Sequence, residues 1–418
     1  MSDMPTSVPL PALPPRFRFT PEFRLLVACS WIAPPHLEPL QAEKISSLCG
    51  EMIDWDEFIA LVDRHRVPAL AYAALSRHAG ERLPERAREA LKGRSDQCRR
   101  GGLQLAAETV RLTKRFAGEG IDLLPLKGPL LSLQLFGDVG MRQAKDIDVM
   151  VRPADLDRAD RLLTEEGYIR TFPDFPLTPG QKAFISRYEH HYGYVHGVKG
   201  LHLELHWQYE VCSAVMTETM WSHCRTRYLS GVRIACLDDG FLLLYLCTHG
   251  AKHKWYRLKW LSDVVTILSQ EHSNVTDRLP GLAERYDLRR PVAQAALLVQ
   301  WLYGIRLVAP LAELVRREKT ALPFARSAVE ALQRSETYHV ARQRRLEGIR
   351  GLPYRMRLRS RPDVGAHLKR VMIGTADFKH FPLPDRLFWL YIPLRPLFWI
   401  WRHYVSRIKN QESVMSDE

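Results

Sequence analysis

The chain has 418 residues, enough for two or three domains, and with 46% hydrophobic and 26% charged residues it has the makings of a sizeable core. That composition excludes a collagen-like, mucin-like or low-complexity chain, and no internal repeat is found. The net charge of +13 and a pI near 9.5 point towards anionic partners: nucleotides, nucleic acid or an anionic membrane surface.

The first residues, MSDMPTSVPLPALPPRFRF, are rich in proline and lack a basic start followed by an apolar stretch. They read as a disordered lead-in over 1–18, not a signal peptide. From Pro21 to Phe116 the apolar spacing is helical, as in Trp55, Phe58, Ile59 and Val62, and again in Leu103, Leu105, Val110 and Leu112. Pro84 opens a helix at its first turn. Near Gly120 the pattern changes. Ile121–Leu126 is a short apolar run expected as a buried strand. It enters Lys127-Gly128-Pro129, where Gly128 allows a tight turn and Pro129 suits the start of a helix through Phe136.

Asp146 to Val151 reads as a strand. Alternation places Asp146, Asp148 and Met150 on one face and Ile147, Val149 and Val151 on the other. Pro153 opens a helix ended by Gly167. Tyr192–Val195 and Leu201–Trp207 are expected as antiparallel strands turned at His196-Gly197 or Lys199-Gly200. Helical spacing returns from Phe241, with further helices over Leu261–Leu268, Val292–Tyr303 and Ala328–Leu346. The remainder is rich in arginine, proline and aromatics. Arg342 to Arg361 holds eight arginines and one acid, Glu347. Leu387 to Trp401 is the nearest approach to a spanning segment, but Pro393, Arg395 and Pro396 interrupt it.

The chemistry concentrates on Asp146 and Asp148. Two carboxylates on one strand face repel unless a cation lies between them, and oxygen ligands so spaced suit Mg²⁺ or Mn²⁺ with substrate phosphates. An isolated D-x-D is more often a solvated strand edge. Here the strand is apolar on its other face, a glycine turn at Gly128 lies upstream, and Glu204 lies on a later strand whose polar face is His202, Glu204 and His206. Seven cysteines are present, none in CxxC spacing, so they read as reduced thiols without disulfide partners, which suits a cytoplasmic protein.

A glycine turn, a D-x-D strand and a later lone acid resemble the DNA polymerase beta-like nucleotidyltransferase superfamily. More narrowly, the chain resembles the uncharacterised nucleotidyltransferases. The resemblance rests on Leu126-Lys127-Gly128, Arg142 before Asp146-Ile147-Asp148, and Glu204-Leu205-His206-Trp207. It extends through His249-Gly250-Ala251-Lys252-His253-Lys254-Trp255 and Leu258–Asp263 to the Pro-Leu-Pro and Leu-Arg-Pro segments near the end.

It implies an α+β fold, a small mixed-sheet nucleotidyltransferase core over 119–210. Helical regions flank it at 19–118 and 211–350, followed by an Arg/Pro/aromatic-rich tail over 351–418. It implies Asp146, Asp148 and Glu204 as catalytic metal ligands and transfer of a nucleoside monophosphate from an NTP, ATP among the candidates. The acceptor would be a hydroxyl of a sugar, glycan precursor, protein or RNA end, with a link to surface polysaccharide biosynthesis. Lys127, Gly128, Arg142 and His206 are the expected nucleotide-binding residues. His249, His253 and Lys254, with Lys252 and Lys259, form a basic wall for phosphate or acceptor. His249 and His253 share a helix face, but positions 250–252 are Gly-Ala-Lys, so the HExxH zinc pattern is absent.

One departure stands out. The superfamily's turn is usually Gly-Ser or Gly-Gly, and here it is Gly128-Pro129, which lacks an N–H for a phosphate; Ser132 lies a turn further on. That departure supports a rival reading, a non-catalytic nucleotide-binding or scaffolding protein in envelope polysaccharide assembly. The mix of tail aromatics with arginine also suits peripheral contact with an anionic membrane at its inner face, or a helix packed on the protein's own core.

Overall fold

Helix-forming spacing dominates the chain, and the fold is α+β: mostly helical, with a small mixed five-stranded sheet. The computed structural model describes residues 10–209, 214–270, 274–334, 352–360 and 364–415. They divide into two compact units, Met1–Met150 with Val211–Pro362 and Val151–Glu210 with Asp363–Glu418. In the first unit β1 Leu124–Pro125 pairs with β2 Asp146–Met150, and in the second β3 Tyr168–Phe172, β4 His191–His196 and β5 His202–His206 lie in the order β5-β4-β3.

In the first unit the N-terminal helices run Pro21–Cys29, Glu38–Leu48, Trp55–His65 and Pro68–His78, followed by the 34-residue helix Glu85–Gly118. Each starts where local chemistry allows. The Asp54 carboxylate accepts from the backbone N–H groups of Asp56 and Glu57, and Pro84 caps the long helix one position earlier than expected. The buried stripe of that helix is Leu91, Cys98, Leu105, Leu112 and Phe116. Leu103 is exposed, against the expected stripe, because it lies two positions from Leu105 and so on the other side of the helix.

The apolar run Ile121–Leu126 is buried, but only Leu124 and Pro125 join a ladder, pairing with Met150 and Val149. Helix Gly128–Phe136 follows, with Gly137 closing it in the left-handed region. A hairpin absent from the sequence reading, β6 Cys224–Leu229 with β7 Val232–Leu237, turns at Ser230-Gly231, both at positive φ. Its Leu229, Ile234 and Cys236 pack with Ala106 and Leu130.

The helical remainder runs Asp239–Lys252, Leu258–Leu268, Asn274–Arg285, Arg289–Tyr303, Ala309–Arg317 and Ala321–Gln333. The helix expected through Leu346 has its described part end at Gln333; 335–346 lie outside the described residues, as do 1–9 of the lead-in, Cys212, and 342–351 and 361 of the arginine-rich stretch.

In the second unit β3, β4 and β5 form an antiparallel meander, with Tyr192 opposite Leu205, Gly193 opposite Glu204 and Val195 opposite His202. The β4–β5 turn closes with Gly200 at positive φ, its N–H donating to the His196 carbonyl. Helix Pro179–Tyr188 starts at a full capping box of Thr178 and Gln181. Further on come helices Val364–Met372, Thr375–His380 and Tyr391–Met415, the last continuous through Pro396. Among the described residues, no helix is long and apolar enough to cross a membrane.

Candidate functional site

The β1–β2 pairing sets the first half of the site. Leu126 donates its N–H to the Asp148 carbonyl at 2.9 Å, so Lys127 leaves the ladder beside that residue. The Asp148 side chain is only 2% exposed, and the Lys127 ammonium lies 2.8 Å from its Oδ1. A carboxylate so buried requires a counter-charge, and here an ammonium provides it. Gly128 turns at a φ of 73°, opening the helix with Pro129 in its first turn. Ser132 does not face a phosphate position. Its buried hydroxyl donates to the Asp138 carbonyl and accepts from the Arg142 N–H, tying down the loop that precedes β2. Asp146 begins β2 and is half-buried.

Arg142 is 4% exposed and Asp263 not at all; Arg142 Nε lies 2.8 and 3.0 Å from the two Asp263 oxygens. Burial opposes the guanidinium charge, but Asp263 outweighs it, and Asp148 and Asp146 add to the same effect, so Arg142 is held above its ordinary range. Arg142 is therefore committed to Asp263, 121 residues away, while remaining within the field of both aspartates.

Lys259 is buried beside this pair, its ammonium donating to the Gln143 carbonyl at 3.3 Å. Burial first, then the guanidiniums of Arg142 and Arg66, bring it down to about 7. His249 is pushed well below its ordinary range by burial, then by Lys127 and His253, so the ring is neutral near pH 7. His249 and His253 have ring centroids 4.8 Å apart, and His253 stacks on Trp260 at 5.0 Å. Lys254 departs from the expected wall: it holds a left-handed φ of 54° and places its ammonium 4.9 Å from the Tyr354 ring centroid.

In the second unit the β4–β5 register sets the remaining expected residues. His206 stands opposite His191, and Glu204 opposite Gly193. Glu204 Oε2 lies 3.2 Å from His206 Nε2. The rings of His190 and His191 lie 5.9 and 5.3 Å from that of His206. These two histidines escaped the sequence reading; their signal was a His-His pair at the head of an alternating segment. His202 shares the Glu204 strand face but stays exposed at the sheet end, so it does not join them. Glu204 and His206 pair a carboxylate with an imidazole on β5, and oxygen donors such as Asp146, Asp148 and Glu204 are of the kind that suits a hard cation such as Mg²⁺ or Mn²⁺.

The family model described as uncharacterised nucleotidyltransferase matches residues 51–304, more than half of the chain. The chain belongs to that family. The match takes in Lys127, Asp146, Asp148, Glu204, His206, His249 and Asp263. It ends before the Pro-Leu-Pro and Leu-Arg-Pro segments, so the resemblance does not reach as far as expected from the sequence. No curated protein and no solved structure matches the chain. The family's description points to a transferase and implies an NTP substrate.

Proposed function

We propose that the protein is a divalent-metal-dependent nucleotidyltransferase that moves a nucleoside monophosphate from an NTP to a hydroxyl acceptor. The observation that carries this reading is the match to this family over 51–304, which takes in Asp146 and the buried Asp148 on β2 and Glu204 on β5. Asp146, Asp148 and Glu204 would hold the ion, Mg²⁺ or Mn²⁺. Such an ion neutralises phosphate charge and makes a bound hydroxyl more acidic. The buried Asp148 already holds a cation beside it, the Lys127 ammonium, so the donor set fits a divalent ion.

The chain's own residues have separate tasks. Lys127, freed from Asp148 when another cation takes its place, pairs with the triphosphate. Arg142, held by Asp263, keeps the aspartates ionised through its field. Glu204 acts on the attacking hydroxyl. The acceptor oxygen forms a bond to the α-phosphorus, the bond from that phosphorus to the bridging oxygen breaks in line, and pyrophosphate leaves. The acceptor belongs to the hydroxyl class: a sugar, a glycan precursor, a protein side chain or an RNA end.

The second reading, nucleotide binding without turnover, draws on Gly128-Pro129, where the second turn residue has no N–H for a phosphate. Calorimetric titration with each of the four NTPs, with and without Mg²⁺, tests the first reading. Mg²⁺-dependent heat with at least one NTP, accompanied by pyrophosphate release once an acceptor hydroxyl is supplied, is expected. Metal-independent binding, or none, overturns it.

A further inference from the structure

The segment 364–404 lies outside the family match and carries a surface that the proposed reaction does not use. Helix Tyr391–Met415 is fixed to its unit by one side. Tyr391 is fully buried, its hydroxyl donating to the Phe381 carbonyl and accepting from the Leu383 N–H and Gln181 Nε2. Phe398 stacks on Phe381 at 4.1 Å, and Arg395 and Arg402 both pair with the buried Asp377.

Over 391–404 the exposed side chains of this helix are apolar, not polar as on a solvated face. Leu397, Ile400, Trp401 and Tyr404 are 61%, 57%, 44% and 67% exposed. Their i, i+3, i+4, i+7 spacing makes one apolar stripe along the helix. Ile392 and Trp399 are exposed on another side of the helix, and Trp389 is exposed in the turn before it. Large apolar side chains gathered this way mark an interaction surface, not ordinary surface scatter.

We propose that this stripe docks on an anionic membrane leaflet. Two observations select that occupant. Tryptophan and tyrosine mixed with arginine match the headgroup layer, where an amphipathic ring sits with one end apolar and the other wet. The charge also fits: residues 364–404 contain six lysines and arginines against two aspartates. Asp377 is taken by Arg395 and Arg402, and Asp385 caps helix Pro179–Tyr188 through Thr178 and the Gly180 N–H. Lys369 and Arg386 remain on the exposed surface, while Lys379 pairs with Asp174. A second copy of a chain carrying +13 would be repelled by this face, whereas phosphatidylglycerol headgroups are attracted to it.

The test uses the full chain with vesicles of phosphatidylcholine alone and of phosphatidylcholine with phosphatidylglycerol, some with brominated acyl chains. The protein should sediment with the anionic vesicles, and the brominated lipid should quench its tryptophan fluorescence. The double variant Leu397→Ser/Trp401→Ser should lower the partition coefficient about ten-fold. Trp401 also makes an edge contact with Phe381, so circular dichroism checks the fold of the double variant, and the separate variant Ile400→Ser, at an exposed position, should keep the wild-type spectrum and fall in between. Four results would overturn the proposal: no sedimentation; sedimentation without quenching, which places the contact on cations elsewhere; undiminished sedimentation of the double variant; or a lipid-free dimer that the variants dissolve.

Discussion

At the scale of single residues, the ion pairs decide the expected phenotypes. Asp146→Asn and Asp148→Asn should each abolish Mg²⁺-dependent NTP binding, measured by calorimetry; two variants that bind as wild type would remove the site. Read on the strand alone, loss of one of two like charges should stabilise the protein. Lys127 reverses that sign for Asp148, because Asp148→Asn leaves a largely buried ammonium short of its partner. A loss on the order of 1–3 kcal/mol is expected in denaturant unfolding of that variant, against little or no loss for Asp146→Asn.

Glu204→Gln should lower turnover more than His206→Gln while sparing NTP affinity, a kcat effect separable by single-turnover kinetics from a binding effect. Lys259 makes a pH prediction. Its folded-state value of about 7 lies below the ordinary 10.5, so between those values the unfolded chain binds more protons than the folded one. The penalty of the buried charge is complete below about pH 7 and disappears towards pH 10.5. Lys259→Met should therefore be the more stable protein at pH 7, with its advantage over wild type shrinking as the pH rises to 10. A stability difference that does not vary with pH, followed by thermal melts, would contradict this.

At the scale of elements, two close approaches hold the framework of the site. Helix Glu85–Gly118 meets the loop before β2 backbone to backbone: a Cβ on Gly140 would come within 2.6 Å of the Arg99 Cα, and one on Gly102 within 2.6 Å of the Val139 carbonyl oxygen. The same loop is tied by Ser132 and leads into Arg142. Gly140→Ala should thus cost about 1–3 kcal/mol of stability, the range for overpacking a close contact, and weaken NTP binding along with it. Gly250 plays the same part in helix Asp239–Lys252. A Cβ there would fall 2.3 Å from the ring of the fully buried Trp255. Both substitutions are read by urea unfolding with wild type as the reference; an unchanged midpoint would show that the backbones can separate freely.

At the scale of the whole molecule, the net charge of +13 predicts salt-sensitive affinity for polyanions. The Arg342–Arg361 stretch is the densest source of that charge, although 342–351 and 361 lie outside the described residues. Within the described part, the Arg357 guanidinium sits 5.4 Å from the Phe324 ring centroid and Arg359 lies 3.7 Å from Asp287, so these two already serve the fold. Filter binding to a homopolymeric RNA should fall steeply between low and high salt and show no sequence preference. Affinity that holds constant with salt would exclude the electrostatic account.

The residues themselves determined whatever depends on local periodicity. The helical stripes, the Gly128-Pro129 turn, the paired aspartates on an alternating strand and the β4–β5 hairpin all follow from spacing of two or 3.6, which neighbours in sequence define. The Ser230-Gly231 hairpin and the Thr178–Gln181 capping box are equally local in their turn and cap chemistry, yet neither was expected from the sequence. Leu103 shows the limit of that reading: a stripe is decided by which side of a helix has a partner, which sequence neighbours do not state.

Only the tertiary structure decided where the buried charges went. Arg142 had several conceivable partners, and burial with Asp263, 121 residues away, selected one. Lys127 became the counter-ion of Asp148 because the β1–β2 ladder ends beside it. Lys259 is depressed by burial first and then by guanidiniums from other elements, and His191 stands beside His206 by strand register. A charge removed from water takes its partner from whatever the fold brings within a few ångströms. That choice belongs to the packing of elements distant in the chain, and no local pattern records it.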